Sequence, residues 1–187
     1  MITLRPYEDY AAWAVFRALD VHDHMEAEAV RGASATSLAL FADWRVAQAH
    51  GLLSVVAHAG PAQRPFAVVT MGHTGQKGVA EAAMLACDHA RHACALARLA
   101  IIMRRGLPRY ATDSGITRIE ARSWAAHPTA ARLLTAIGFT HECDMPGFGR
   151  AGEAMFRQFA WNAPAPTAHP TPIAAAHATQ PGESPCA

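Results

Sequence analysis

The hydrophobic period of this chain changes at Gly51, and that change restricts the possible folds more than any other feature. Before it, apolar residues recur at helical spacing. Trp13, Phe16, Val21 and Met25 share one face between Tyr7 and Arg31, with a break expected near His22 and a stop at Gly32. Ser34 or Thr36 stands ahead of Leu38, Phe41, Val46 and Ala49, which predicts a second helix through His50. After Gly51 the pattern is that of strands. Leu52 to His58 and Phe66 to Met71 are apolar, β-branched runs separated by Gly60-Pro61, the signature of a hairpin.

The rest of the chain alternates between the two periods. Ile2 to Arg5 reads as a first strand and Val79 to Cys87 as a short apolar strand. Leu96, Leu99, Ala100, Met103, Leu107 and Tyr110 predict a helix from Leu96 to Asp113 with Pro108 inside it. Ile116 to Trp124 alternates, with Arg118, Glu120 and Arg122 on one side and Ile119, Ala121 and Ser123 on the other. Pro128 opens a helix to Ile137 that Gly138 stops, and Phe139–Asp144 and Glu153–Trp161 are two more strands. The order β-α-α-β-β-β-α-β-α-β-β is that of an α/β protein with a mixed sheet of seven strands and about four helices.

Residues 162–187 hold six prolines and one charged side chain, Glu183. Such a segment cannot bury enough apolar surface to offset its ordering entropy, so the expectation is a folded domain over 1–161 and a disordered tail over 162–187. The formal net charge of +1 argues against a nucleic-acid binder and against a membrane-surface protein. No apolar run approaches the ~20 residues of a membrane span, and the N-terminus lacks the pattern of a signal peptide. Cys87, Cys94, Cys143 and Cys186 form no Cys-x-x-Cys pair, which points to a reduced, cytoplasmic setting without a disulfide framework. The histidines are scattered: His22 and His24 fall on different helix faces, and His89 and His92 lack a second cluster. No metal site is expected.

The informative stretch runs from Met84 to Phe139. A strand ends at Asp88, and the small-residue segment His92-Ala93-Cys94-Ala95-Leu96-Ala97 leads into a helix. Small side chains at a strand–helix junction let a ligand reach backbone amides, and a helix N-terminus suits an anion. Further on, His127-Pro128-Thr129-Ala130-Ala131-Arg132-Leu133-Leu134-Thr135-Ala136-Ile137-Gly138-Phe139 resembles the Asn-x-x-Ala-x-x-Leu-Tyr-x-x-x-Gly-Phe helix of the GCN5-related N-acetyltransferase superfamily. The segment from His92 to Ala97 is similar to that family's (Arg/Gln)-x-x-Gly-x-(Gly/Ala) loop. The resemblance extends to element order over most of 1–161.

The resemblance implies a sheet splayed at its centre and transfer of an acetyl group from acetyl-CoA to an amine on a small molecule or protein. It places the coenzyme on Cys87, Asp88, His92, Ala93, Cys94, Ala95, Leu96, Ala97 and Arg98, with a backbone N–H of the Val79–Asp88 strand at the oxyanion. Glu120, central in its strand, is the first candidate for the base that takes the amine proton, and Glu81 is the second. His127 is a candidate to donate to the coenzyme or shuttle protons. Trp124 and Phe148 are candidates to line the acceptor site. The departures are His92 for Arg or Gln, Ala95 for Gly, His127 for Asn, and Leu134 for the tyrosine that acts on the coenzyme thiolate. They imply an alternative: a member of the fold that has lost catalysis and serves as a structural or interaction module, of the kind borne by phages, virion-associated rather than cytoplasmic.

Overall fold

A computed structural model describes residues 1–48 and 51–164. The chain runs β1 (Ile2–Pro6), α1 (Asp9–Phe16), α2 (Val21–Arg31), α3 (Ser37–Gln48), β2 (Gly51–Ala59), β3 (Arg64–His73), β4 (Val79–Ala86), α4 (His89–Asp113), β5 (Arg118–Trp124), α5 (Ala130–Ile137), β6 (Thr140–Phe148) and β7 (Ala154–Asn162). The seven strands form one sheet in the order β1-β2-β3-β4-β5-β7-β6. Every neighbouring pair is antiparallel except β4 and β5, which are parallel.

That parallel pair organises the molecule. β4 and β5 are in register only over Val79–Arg118, Ala80–Ile119 and Glu81–Glu120. Beyond those three pairs each strand continues, β4 to Ala86 and β5 to Trp124, without facing the other. The sheet is therefore splayed at its centre, as expected. Gly78 pins the closed end. Its carbonyl accepts from the amides of Thr117 and Arg118 at 2.8 and 3.1 Å. It adopts φ +76°, and a Cβ there would lie 2.9 Å from Thr117 Oγ1, so glycine is required on both counts.

Each face of the sheet carries its own core. α1 and α3 bury Val15, Phe16, Leu40 and Trp44 against Val56 and Val68. α4 and α5 cover the other face, where Ala100, Leu107 and Ile137 pack on Ile119, Ala121 and Phe159. No helix among the described residues is long and apolar enough to cross a membrane.

The element boundaries refine the sequence reading. The first helical stretch breaks at residues 17–20, ahead of His22, because Asp20 caps α2 by accepting from the His22 amide at 2.9 Å. That break gives five helices among the described residues, and α4 begins at His89 rather than Leu96. β6 runs on to Phe148 across irregular register, taking Pro146 and Gly147 into the strand. β7 reaches Asn162, and the Ala163 amide donates to Thr117 O at 2.8 Å, so the ordered edge passes the expected limit at 161. The expected tail beyond residue 164 lies outside the described residues, as does the end of the second helix at His50.

Candidate functional site

A cavity of about 600 Å³ opens where β4 and β5 part. Its side walls are α4, through Ala93, Leu96, Ala97 and Ala100, and α5, through Leu133, Leu134 and Ile137. Its floor is the splayed pair, through Ala82 and Met84 of β4 and Ala121 and Ser123 of β5. Alanine at so many of these positions keeps the slot open, because each removes side-chain volume without breaking the helix or strand that carries it.

Two polar groups interrupt the apolar lining. Ser123 is only 1% exposed, and its hydroxyl has no hydrogen-bond partner in the protein. The second group is the backbone of Met84. The Ala86 amide points away from β3, to Asp23, whereas that of Cys87 donates to Phe66 O of β3. Strand alternation then turns the N–H and C=O of Met84 toward the gap.

The mouth of the slot is built by α2. This helix is held across the open strand ends by the Asp20 amide on Ala86 O (2.9 Å) and the Gly149 amide on Ala29 O (3.0 Å). Asp23 and Glu26, three residues apart, share one helix face, and both line the cavity. Asp23 Oδ2 accepts from the Ala86 amide at 2.6 Å, and Oδ1 accepts from His127 Nε2 at 2.9 Å. His89 Nε2 stands 3.1 Å from the same Oδ1. Burial works against the Asp23 carboxylate, but the hydrogen bond from His127 and the contact with His89 outweigh it and hold its pKa below the usual range. Burial likewise opposes the charged form of His89, yet Asp23 and Asp20 raise its pKa. Glu26 is pushed up to about 7, chiefly by burial.

The ligand atoms of Asp23, His89 and His127 lie within 4.8 Å of one another, a spacing that suits a metal ion. The tautomer of His127 does not. Its Nδ1 accepts from the amides of Thr129 (3.2 Å) and Ala130 (2.9 Å), so the ring proton sits on Nε2, the atom a cation would need bare. The cluster is a hydrogen-bonded acid–imidazole network. His127 caps α5, while the Thr129 hydroxyl, 3.1 Å from His89 Nδ1, is turned to His89 instead.

The residues expected to hold the coenzyme are divided by this geometry. Ala93, Leu96 and Ala97 line the slot. Cys87 faces the opposite core, its thiol 3.7 Å from Val15 O and pushed up to about 11, first by burial. His92 stacks on Phe66 at 5.3 Å, and Ala95 packs in the same cluster. Cys94 and Arg98 are exposed. The segment His92–Ala97 is helix, not loop, so its amides from Ala93 onward serve the carbonyls four residues earlier. Asp88 is the N-cap, accepting from the Arg91 amide at 3.0 Å.

Glu120 lies outside the slot and accepts from Arg118 Nε at 2.7 Å. Arg118 also bonds Glu142 at 2.8 Å, and Arg122 pairs with Glu81, the second candidate for the base. Trp124 is half-buried at the end of β5. Phe148 packs on Phe156 at 4.5 Å, 6.0 Å from the guanidinium carbon of Arg122, itself a wall of the cavity. Asp23, Glu26, His89 and Ser123 were not expected. The only sequence signal for the first two was a pair of acids at i, i+3 on a helix, which ordinarily marks a solvated face.

No protein-family profile matches this chain, and no curated protein does. Solved structures do. The ribosomal-protein-S18-alanine N-acetyltransferase from Escherichia coli matches at 13% identity and TM-score 0.61, over 90% of this chain and 99% of that one. The aminoglycoside acetyltransferase AAC(6')-Ib in complex with ribostamycin and coenzyme A matches at 13% and 0.63, over 86% and 93%. An acetyltransferase of the GNAT family from Streptococcus pneumoniae matches at 11% and 0.57, over 88% and 100%. The chain has the fold of these acetyltransferases.

Proposed function

We propose that the chain is an N-acyltransferase that moves an acyl group, acetyl in the first instance, from a coenzyme A thioester to an amine. The observation that carries this reading is the parting of β4 and β5 after Glu81 and Glu120 over an apolar slot of about 600 Å³. Ser123 Oγ and the Met84 backbone, on the floor of the slot, suit the amides of a pantetheine arm and the thioester carbonyl.

In this reading the Met84 N–H stabilises the oxygen as the carbonyl carbon becomes tetrahedral. Glu26, near neutrality at the mouth, takes the proton of the incoming amine. The amine nitrogen forms its bond to carbon, the C–S bond breaks, and the thiolate leaves. Leu134 has no proton to give, so the sulfur is protonated from water. Asp23 and His127 hold α2 and α5 in place around Glu26. The acceptor is an amine of a small molecule or protein.

A second reading is favoured by two observations, the apolar Leu134 in the slot and the α4 N-terminus capped by the chain's own acids. It takes the fold as a non-catalytic module, such as a phage-derived particle component. Thiol release from acetyl-CoA in the presence of a panel of primary amines separates the two. The enzyme releases thiol in step with amide formation for at least one amine. Release at the background rate with every amine favours the module.

A further inference from the structure

The N-terminus of α4 is where an anion attached to the ligand of the slot would be expected to dock. Three of its first four amides, all but that of Ala90, are already spent. The His89 amide donates to Asp20 Oδ2 at 2.9 Å and the Arg91 amide to Asp88 Oδ1 at 3.0 Å. The next amide, His92, already donates to Asp88 O at 3.0 Å. From Ala93 onward the amides lie inside the helix. Asp20 is held from the other side by the His22 amide at 2.9 Å, and α2 cannot carry it away without losing the Asp20–Ala86 and Asp23–Ala86 bonds. Two carboxylates therefore neutralise the positive end of the helix dipole and present like charge to any phosphate. Arg91 and Arg98 are exposed nearby and add only the screened attraction of surface cations.

The slot behind this closed cap is complete on its own terms. It has alanine walls, the unpartnered Ser123 hydroxyl at 1% exposure, and the gap-facing Met84 backbone. Of the two arginines in its lining, Arg122 pairs with Glu81, which leaves Arg132 on α5 as a single side chain rather than a cluster.

We propose that donor recognition stops at the pantetheine arm. Among the described residues no set of free amides is left to seat a diphosphate, and pantetheine thioesters that lack the nucleotide diphosphate serve the protein as well as coenzyme A thioesters do. This inference rests on the slot being a thioester site.

The test is calorimetric titration of the full chain with coenzyme A, with pantetheine and with adenosine 3′,5′-bisphosphate. The expected result is dissociation constants for the first two within about threefold of each other, and neither heat nor competition from the third. Coenzyme A binding tighter than pantetheine by about thirtyfold or more overturns the inference while leaving the slot intact as a thioester site. Failure of both to bind overturns the slot reading, and the inference with it. The double variant Asp20→Asn, Asp88→Asn keeps amide oxygens to cap the helix and removes the charge. It is expected to favour coenzyme A over pantetheine by a factor of about three or more, and an unchanged ratio contradicts the role given to the two carboxylates.

Discussion

His127 Nε2 donates to Asp23 Oδ1 at 2.9 Å across 104 positions of sequence, and this bond ties α2 to the segment ahead of α5 at the mouth of the β4–β5 slot. Both side chains are more than nine-tenths buried. Removing one partner of such a pair leaves the other without compensation, so Asp23→Ala is expected to lower unfolding stability by about 3–5 kcal/mol in urea titration. His127→Asn retains an acceptor to cap α5 and is expected to be more stable than His127→Ala by about 1 kcal/mol. Equal losses in the two His127 variants would mean that the cap contributes nothing.

The same cluster sets the pH dependence of stability. Glu26 is raised from 4.5 to about 7, so its contribution is full below pH 4.5 and is lost as pH rises toward 7. His89 is raised from 6.5, and its contribution is lost as pH rises beyond that value. Asp23 and Asp20 are lowered from 3.8, and theirs is lost as pH falls below it. Stability is therefore expected to peak between pH 3.8 and 4.5 and to fall toward pH 8, with Glu26→Gln flattening the limb between pH 4.5 and 7. A midpoint that rises steadily from pH 5 to 8 would contradict these assignments.

Gly78 offers a test of the closed end of the splay. With φ at +76° and Thr117 Oγ1 2.9 Å from the added carbon, Gly78→Ala is expected to cost about 2 kcal/mol by thermal or urea unfolding. Gly75, also at positive φ but with open space around it, is expected to show the smaller loss of backbone strain alone. A smaller loss at Gly78 than at Gly75 would remove the argument for close approach.

The strands were legible because alternation marks one buried face, as in Ile119, Ala121 and Ser123. The splay was legible because the order of elements is shared with a family that resembles this one in motif. The start of α4 was misread, and the cause is visible in retrospect. Alanine is the strongest helix former and glycine among the weakest. Alanine at 95, where the resembled loop has glycine, together with alanines at 93 and 97, winds that segment into helix as far as Asp88. Asp23 and Glu26 were not legible at all. Their burial depends on Ala86, His127 and Trp124, contacts that only the folded chain brings together.

The choice of base is tested by two substitutions measured with an amine that supports turnover. Glu26→Gln is expected to lower kcat by about 10²-fold or more and to remove a rise in rate centred near pH 7. Glu120→Gln, whose carboxylate is committed to Arg118, is expected to change kcat by less than about threefold. The reverse pattern would return the role to Glu120.

The most direct measurement is a titration of acetyl-CoA into the parent chain and into Ala97→Trp. Ala97 is an exposed helix residue on the wall of the slot, so tryptophan fills the slot without disturbing the core. The parent is expected to bind with a dissociation constant below about 1 mM, and the variant to show no heat while melting within a few degrees of the parent. Equal binding by the two proteins, or no binding by the parent, would contradict the assignment of the β4–β5 slot as the thioester site.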